Sequence, residues 1–105
     1  MQTVGKTEIK NLLVWLTENR KLRAPYKATR GARYWKVASG DAPHTSVYCF
    51  VAVAAFHTRT MGAVSAGDIF KPASWRAPAK HVRGNLFDSE TWKDCFGEYS
   101  VTYLK

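Results

Sequence analysis

The apolar residues near the start of the chain follow a helical repeat. Four of them recur at i, i+3, i+4 and i+7 spacing: Ile9, Leu12, Leu13 and Leu16. In an α-helix this spacing places all four side chains on one face, and polar residues fall on the other. Pro25 cannot continue a helix, because proline has no backbone N–H. We therefore predict an amphipathic helix over residues 6–22.

An apolar run in the middle of the chain predicts the central strand of a sheet. From Ser46 to Phe56 nearly every position is apolar, whether odd or even, which is typical of a strand that is buried on both faces. A buried helix is the competing interpretation. The valines and aromatic residues of the run favour the strand, as do the turn-forming residues 39–43 that precede it.

Shorter segments predict the neighbours of this strand. Residues 32–38 and 69–71 carry aromatic and β-branched side chains that suit strands. Residues 100–104 alternate as a last edge strand would. Residues 66–68 predict a tight turn, in which Gly67 takes a positive φ.

Two segments rich in basic residues are predicted to be loops, and a helix is predicted near the end of the chain. Residues 24–31 would form the first loop, and residues 72–87, with two prolines, a long exposed one. A short helix over residues 90–96 would end at Gly97. The expected fold is α+β: an N-terminal amphipathic helix packed on a small, mainly antiparallel sheet of three to four strands, a long basic loop and a short C-terminal helix, in a single domain over residues 1–105.

Length and composition narrow the class of protein. A chain of 105 residues, 46% of them hydrophobic, can form one core but not two. Its longest apolar run has ten residues, whereas a membrane span needs about 20, and no segment of signal-peptide type precedes the first helix. We expect a soluble, cytoplasmic protein without a membrane partner, with Cys49 and Cys95 as reduced, buried thiols.

The distribution of charge gives the main functional clue. The chain has 16 basic and 8 acidic residues, for a net charge of +8. Residues 20–83 hold 12 of the basic residues and only 2 acidic ones, Asp41 and Asp68. Seven of the cations fall between residues 20 and 36 with no acid among them. A surface so charged attracts counter-ions or an acidic partner.

Aromatic residues lie between these cations, which predicts nucleic-acid binding. Lysine and arginine neutralise phosphates, and exposed rings stack on bases. A second basic segment, residues 71–83, contains Trp75 and His81 and would extend the binding track. A solvated basic face, with Tyr34 and Trp35 split between surface and core, is the competing interpretation. The predicted nucleic-acid-binding residues are Arg23, Lys27, Arg30, Arg33, Trp35, Lys36, Arg76, Lys80 and Arg83.

Several chemistries have no support in the sequence. The histidines and cysteines lack the close spacing of a zinc site, and no clustered carboxylates could hold magnesium. Phosphate-binding glycine loops and the motifs of known RNA- and DNA-binding domains are absent too. We therefore predict no metal, no cofactor and no catalytic residue.

Two alternative functions stay open. A protein-binding inhibitor or adaptor could use the same cations to dock on an acidic or nucleic-acid-processing host protein, and the size and charge of the chain are typical of phage and mobile-element proteins. A small phosphodiesterase could use His44, His57 or His81 as acid and base. The sequence does not fix the oligomeric state and is compatible with a homodimer.

Overall fold

The computed structural model describes residues 3–21, 24–41, 45–75, 77–88, 90, 92 and 96, with Lys80 described by its backbone alone. One helix, α1 (Lys6–Asn19), precedes all the strands. It begins after Gly5, whose backbone N–H donates to Glu8 Oε1 at 2.9 Å, and this bond satisfies a donor near the helix start. Ile9, Leu12 and Leu16 are buried, as the helical repeat predicts.

Helix α1 is shorter than the sequence predicts. Its last residue is Asn19, and the Arg20 backbone N–H closes the final turn by donating to the Leu16 carbonyl at 2.7 Å. Arg20 and Lys21 therefore lie outside the α-helix. In the part of the chain that the structure describes, no helix is long and apolar enough to cross a membrane.

Within the described residues, seven strands follow the helix. They are β1 (Tyr26–Arg30), β2 (Tyr34–Ser39), β3 (Ser46–Ala52), β4 (Phe56–Thr58), β5 (Gly62–Val64), β6 (Asp68–Pro72) and β7 (Pro78–Asn85). Five of them form one sheet in the order β1-β2-β3-β6-β7, and β4 and β5 form a separate hairpin. Every pairing is antiparallel. The α+β class, with one helix and a mainly antiparallel sheet, is confirmed, and β3 is its central strand as predicted.

The two faces of the sheet pack against different partners. Side chains such as Trp35, Val37 and Val51 point toward α1 and form the larger core with its buried leucines. Phe50 and Phe70 point to the opposite face, where they pack with Tyr34 and the β4–β5 hairpin. We call this second side the outer face of the sheet. The fully buried thiol of Cys49 belongs to the larger core, whereas Cys95 lies outside the described residues.

The tight turn predicted around Gly67 is present. Gly67 has φ +85°, and its backbone N–H donates to the Ala52 carbonyl at 2.9 Å. A Cβ at this position would lie 2.8 Å from Cδ2 of Phe87. Glycine is therefore favoured just before β6 for two reasons: it adopts a positive φ without strain, and it leaves room for the Phe87 ring.

The prediction that the two basic segments, residues 24–31 and 72–87, form loops is wrong. Most of residues 24–31 form β1, in which Tyr26 is buried and Ala28 half-buried while Lys27 and Thr29 are exposed. Residues 78–85 form β7, and Pro72 pairs with Pro78 where β6 ends and β7 begins. Proline is tolerated at such strand ends, because no ladder hydrogen bond is lost there.

Two further predictions concern the number of strands and the end of the chain. The main sheet has five strands where the sequence predicts three to four, and the β4–β5 hairpin was not predicted. Of the predicted C-terminal helix only Glu90, Trp92 and Phe96 are described, so the rest of it lies outside the described residues. The strand predicted over residues 100–104 also lies outside them.

Candidate nucleic-acid interface

The turn between β1 and β2 builds a cavity of about 340 Å³ on the edge of the sheet. It is lined by Thr29, Arg30, Gly31, Ala32, Arg33, Tyr34, Lys36 and Phe50. We call it the arginine cavity. Three of its lining residues are cations, and no acidic side chain is among them. Such a cavity attracts anions, since the low-dielectric wall behind the cations strengthens their field.

Backbone hydrogen bonds fix the turn that carries the two arginines. The Gly31 backbone N–H donates to the Tyr34 carbonyl at 2.8 Å, and the Val53 N–H donates to the Arg33 carbonyl at 2.9 Å. A Cβ on Gly31 would approach the Tyr34 oxygen to 3.1 Å, so the close turn favours glycine. Arg30 ends β1 and Arg33 precedes β2, and both side chains are exposed.

Aromatic packing supports the Arg33 side of the cavity. The Arg33 guanidinium carbon lies 5.1 Å from the centre of the Phe56 ring in β4, a cation–π distance. Tyr34 meets Phe56 edge-to-face at 5.5 Å, and its hydroxyl lies 3.4 Å from the Met61 sulfur. The β4–β5 hairpin thus supports the β2 end of this turn.

Tyr34 contributes a neutral hydroxyl to this cluster. Burial raises the pKa of the Tyr34 hydroxyl above its ordinary value, and the neighbouring positive charge of Arg33 opposes part of that shift. Because the group stays protonated at neutral pH, it adds no negative charge to the cavity.

Lys36 connects the cavity to the turn between β6 and β7. Its Nζ donates to the Trp75 carbonyl at 3.2 Å and lies 4.3 Å from the centre of the Trp75 ring. The Trp75 side chain is 51% exposed. An exposed aromatic ring therefore stands directly beside the cations of the arginine cavity.

Lys27 lies on the same side of the sheet as Lys36. Tyr26 and Ala28 pack toward α1, so the alternation of a strand turns Lys27 and Thr29 to the outer face. Thr29 pairs directly with Lys36, and Lys27 pairs with Ala38. Lys27 and Lys36 are thus diagonal neighbours, about 7–8 Å apart at their backbones.

Trp35, a predicted stacking residue, lies in the core and is not accessible to a ligand. It is 6% exposed, and its Nε1–H donates to the Val4 carbonyl at 2.8 Å. Tyr26 is also buried, and its hydroxyl donates to the Arg20 carbonyl at 2.7 Å. The ring that the structure places beside the cations is Trp75, which the sequence grouped with the second basic segment without choosing it as a binding residue.

The predicted cations fall into separate groups. Lys27 and Lys36 lie on the outer face of β1 and β2, and Arg33 lies over Phe56. Arg30 pairs with Trp35, so strand alternation places it on the α1 side, and it lines the cavity at the end of β1. Lys80 and the half-buried Arg83 lie in β7, at the opposite edge of the sheet, and Arg23 and Arg76 lie outside the described residues.

Arg20, one of the seven cations between residues 20 and 36, has a structural role. Its Nε donates to the Phe96 carbonyl at 2.7 Å, and its guanidinium lies 5.2 Å from the centre of the Trp15 ring. These contacts hold Phe96 against the end of α1. Arg20 therefore belongs to the packing of the helix and not to the candidate site.

Of the candidate histidines and metal ligands, those that the structure describes do not assemble at this site. His57 is exposed in β4 and His81 is exposed in β7, and neither lines the arginine cavity. His44 is outside the described residues. Within the described ranges, no three histidine, cysteine, aspartate or glutamate side chains lie close enough together to hold a metal ion.

The fold and the site define a small α+β domain that carries a cationic cavity at a hairpin turn, beside an exposed tryptophan on the sheet face opposite its helix. Residues 2–102 match a family described as a family of unknown function (DUF7717), and the chain belongs to that family. No curated protein and no solved structure matches the chain.

Proposed function

We propose that this domain binds nucleic acid at the arginine cavity, with phosphate groups between Arg30 and Arg33. The observation that carries the proposal is the acid-free lining of the cavity, in which Arg30 and Arg33 stand at the two ends of one fixed turn. Guanidinium groups bind phosphate oxygens through paired hydrogen bonds. Lys36 is the third cation of the lining, and Lys27 adds a further positive charge on the outer face beside Lys36. We place this activity in the cytoplasm.

The salt dependence of binding tests the proposal. Fluorescence anisotropy would follow an oligothymidylate and an oligouridylate of about 12 nucleotides, at salt concentrations from about 50 to 200 mM. We expect the logarithm of the affinity to fall linearly with the logarithm of salt. The Arg30→Gln/Arg33→Gln double variant should weaken binding and reduce that slope by about 1.4, because each lost phosphate contact on a single strand contributes about 0.7.

A second double variant controls for the loss of net charge. Lys10→Gln/Lys21→Gln removes the same two charges from exposed positions on α1 and just after it. We expect its salt slope to match that of the wild type. Equal losses in the two double variants would show that binding follows net charge and not the cavity, and no oligonucleotide binding at low salt would refute the proposal.

An acidic protein could meet the same cations, and the test separates it from nucleic acid. Polyglutamate of similar length would serve as the competing probe. Binding of polyglutamate without binding of either oligonucleotide would support the inhibitor or adaptor function in place of the proposed one.

A further inference from the structure

Trp75 stands on a turn that holds it in place. The Ala73 backbone N–H donates to the Ala77 carbonyl at 2.9 Å, and the Ala77 N–H donates to the Ser74 hydroxyl at 3.2 Å. These bonds close the turn between β6 and β7 around the tryptophan. A large apolar ring held at 51% exposure by its own turn is ready for a ligand, because little ordering remains to be done on binding.

Lys36 covers one side of that ring. Its ammonium lies 4.3 Å from the ring centre and also donates to the Trp75 carbonyl. The lysine thus holds the residue through both its ring and its backbone. Because Lys36 covers one face of the ring, an aromatic ligand that stacks on Trp75 would use the opposite face.

A second cavity lies beside the same tryptophan. Its volume is about 340 Å³, and it is lined by Trp75, residues 72–74 and residues 45–47. Three of the lining residues carry hydroxyl groups, Thr45, Ser46 and Ser74; the Ser46 hydroxyl lies 3.4 Å from that of Ser39, and the Ser74 hydroxyl accepts from the Ala77 N–H. An aromatic surface next to hydroxyl groups suits a nucleobase, which presents a flat face and hydrogen-bonding edges.

We infer that the ligand is single-stranded nucleic acid, and that one of its bases stacks on Trp75 while its backbone occupies the arginine cavity. The inference rests on the proposed function. Lys36 lines the arginine cavity and touches Trp75, so both parts of the site adjoin on one face. A duplex keeps its base faces stacked inside the helix, whereas a single strand can turn a base outward. Lys36 acts here as a positioning residue for the tryptophan.

The contribution of the base is tested with two probes that carry the same charge. One is an oligothymidylate of about 12 nucleotides, and the other is an abasic sugar-phosphate strand of equal length. We expect the wild type to bind the oligothymidylate at least about fivefold more tightly, the lower end of the range for one stacked base. Trp75→Leu should abolish this preference and leave the abasic affinity unchanged, and Trp75→Phe should retain part of it.

A matched variant and a separate readout complete the experiment. Phe87→Leu replaces another exposed aromatic residue, 40% exposed, and should keep the full preference for bases. Quenching of tryptophan fluorescence by the oligothymidylate should disappear in Trp75→Leu. Equal wild-type affinity for the two probes, or a preference that survives Trp75→Leu, would overturn the inference while leaving phosphate binding in place. Binding of neither probe would instead refute the proposed function, and this inference with it.

Discussion

Two tryptophans of the basic part of the chain have opposite environments. Trp35 lies in the core, where its indole N–H has a buried backbone acceptor at 2.8 Å. Trp75 is half exposed and has Lys36 above its ring. Both stand among cations in the sequence, yet only the second presents a surface to a ligand. The ring that binds and the ring that stabilises the fold can therefore be separated by substitution.

Replacement of Trp35 by phenylalanine should lower stability without changing ligand binding. The Val4 carbonyl would lose its donor in a buried site, which costs about 1–3 kcal/mol in the free energy of unfolding. Urea denaturation would measure this loss, and oligonucleotide affinity under native conditions should equal that of the wild type. Trp75→Phe is the matched control and should change the free energy of unfolding by less than about 0.5 kcal/mol. A folded Trp35→Phe variant with weakened binding would contradict the assignment of Trp35 to the core.

Arg20 shows why a count of cations overstates a binding surface. Its guanidinium donates to the Phe96 carbonyl and lies over the Trp15 ring, contacts that join residues far apart in sequence. Nothing in the local sequence distinguishes it from Arg30 or Arg33, which remain exposed at the hairpin turn. The difference lies in position: Arg20 follows the last residue of α1, Asn19, and lies beside Phe96.

Two glycine turns allow backbone strain and packing to be measured separately. Gly62 has φ +72° and open space where a Cβ would lie, whereas Gly67 has φ +85° and Phe87 atoms within 3.0 Å of that position. Gly62→Ala should therefore lower the free energy of unfolding by about 1–2 kcal/mol, which is the cost of placing alanine in the left-handed conformation. Gly67→Ala should lower the free energy of unfolding by about 1–3 kcal/mol more than Gly62→Ala, because its new methyl group also collides with Phe87.

Thermal or urea denaturation of the two variants would test this difference. In a Phe87→Ala background the extra cost of Gly67→Ala should shrink, because the nearest ring atoms are removed. Equal destabilisation by the two alanines in the wild-type background would show that Phe87 moves aside without cost. The comparison measures how tightly the start of β6 packs against residues 85–87.

The elements that the sequence predicted correctly are those with strong apolar patterns. Helix α1 shows a clear helical repeat, and β3 is apolar on both faces, so each pattern had few alternatives. β1 and β7 were missed because charged residues occupy their exposed positions and prolines flank them. In β1 only Tyr26 and Ala28 face the core. A segment with two apolar residues among cations has the same sequence pattern as an exposed loop. The β4–β5 hairpin is three residues per strand, too short to show a period.

The candidate site could be predicted only as a region. The sequence located the cations of residues 27–36, which the structure gathers around one turn. It chose Trp35 as a binding residue, but the structure buries that side chain, because alternation places adjacent residues on opposite faces without saying which face is covered. Trp75 comes from a distant segment, and its place beside Lys36 depends on the pairing of β6 with β3. Such long-range contacts have no local pattern.

At the scale of the whole molecule, the described cations of β1 and those of β7 lie at opposite edges of the main sheet. β1 and β7 are the two edges of a five-stranded sheet. Four strand spacings separate them, about 19 Å in total. That distance is about twice the length over which salt screens exposed charges at physiological ionic strength. A short ligand in the arginine cavity should therefore be insensitive to single charges on the far edge.

Two single substitutions test this separation with the same loss of charge. Lys27 lies in β1 beside the cavity, and Lys80 lies in β7. For an oligothymidylate of about six nucleotides, near the lower end of common site sizes, Lys27→Gln should reduce the salt slope of binding by about 0.7. Lys80→Gln should leave both slope and affinity unchanged at about 150 mM salt, because screening removes its influence. Anisotropy titrations of both variants at several salt concentrations would measure the two slopes. Equal reductions would mean that even a short strand crosses the full width of the sheet, and the binding site would then extend well beyond the arginine cavity and Trp75.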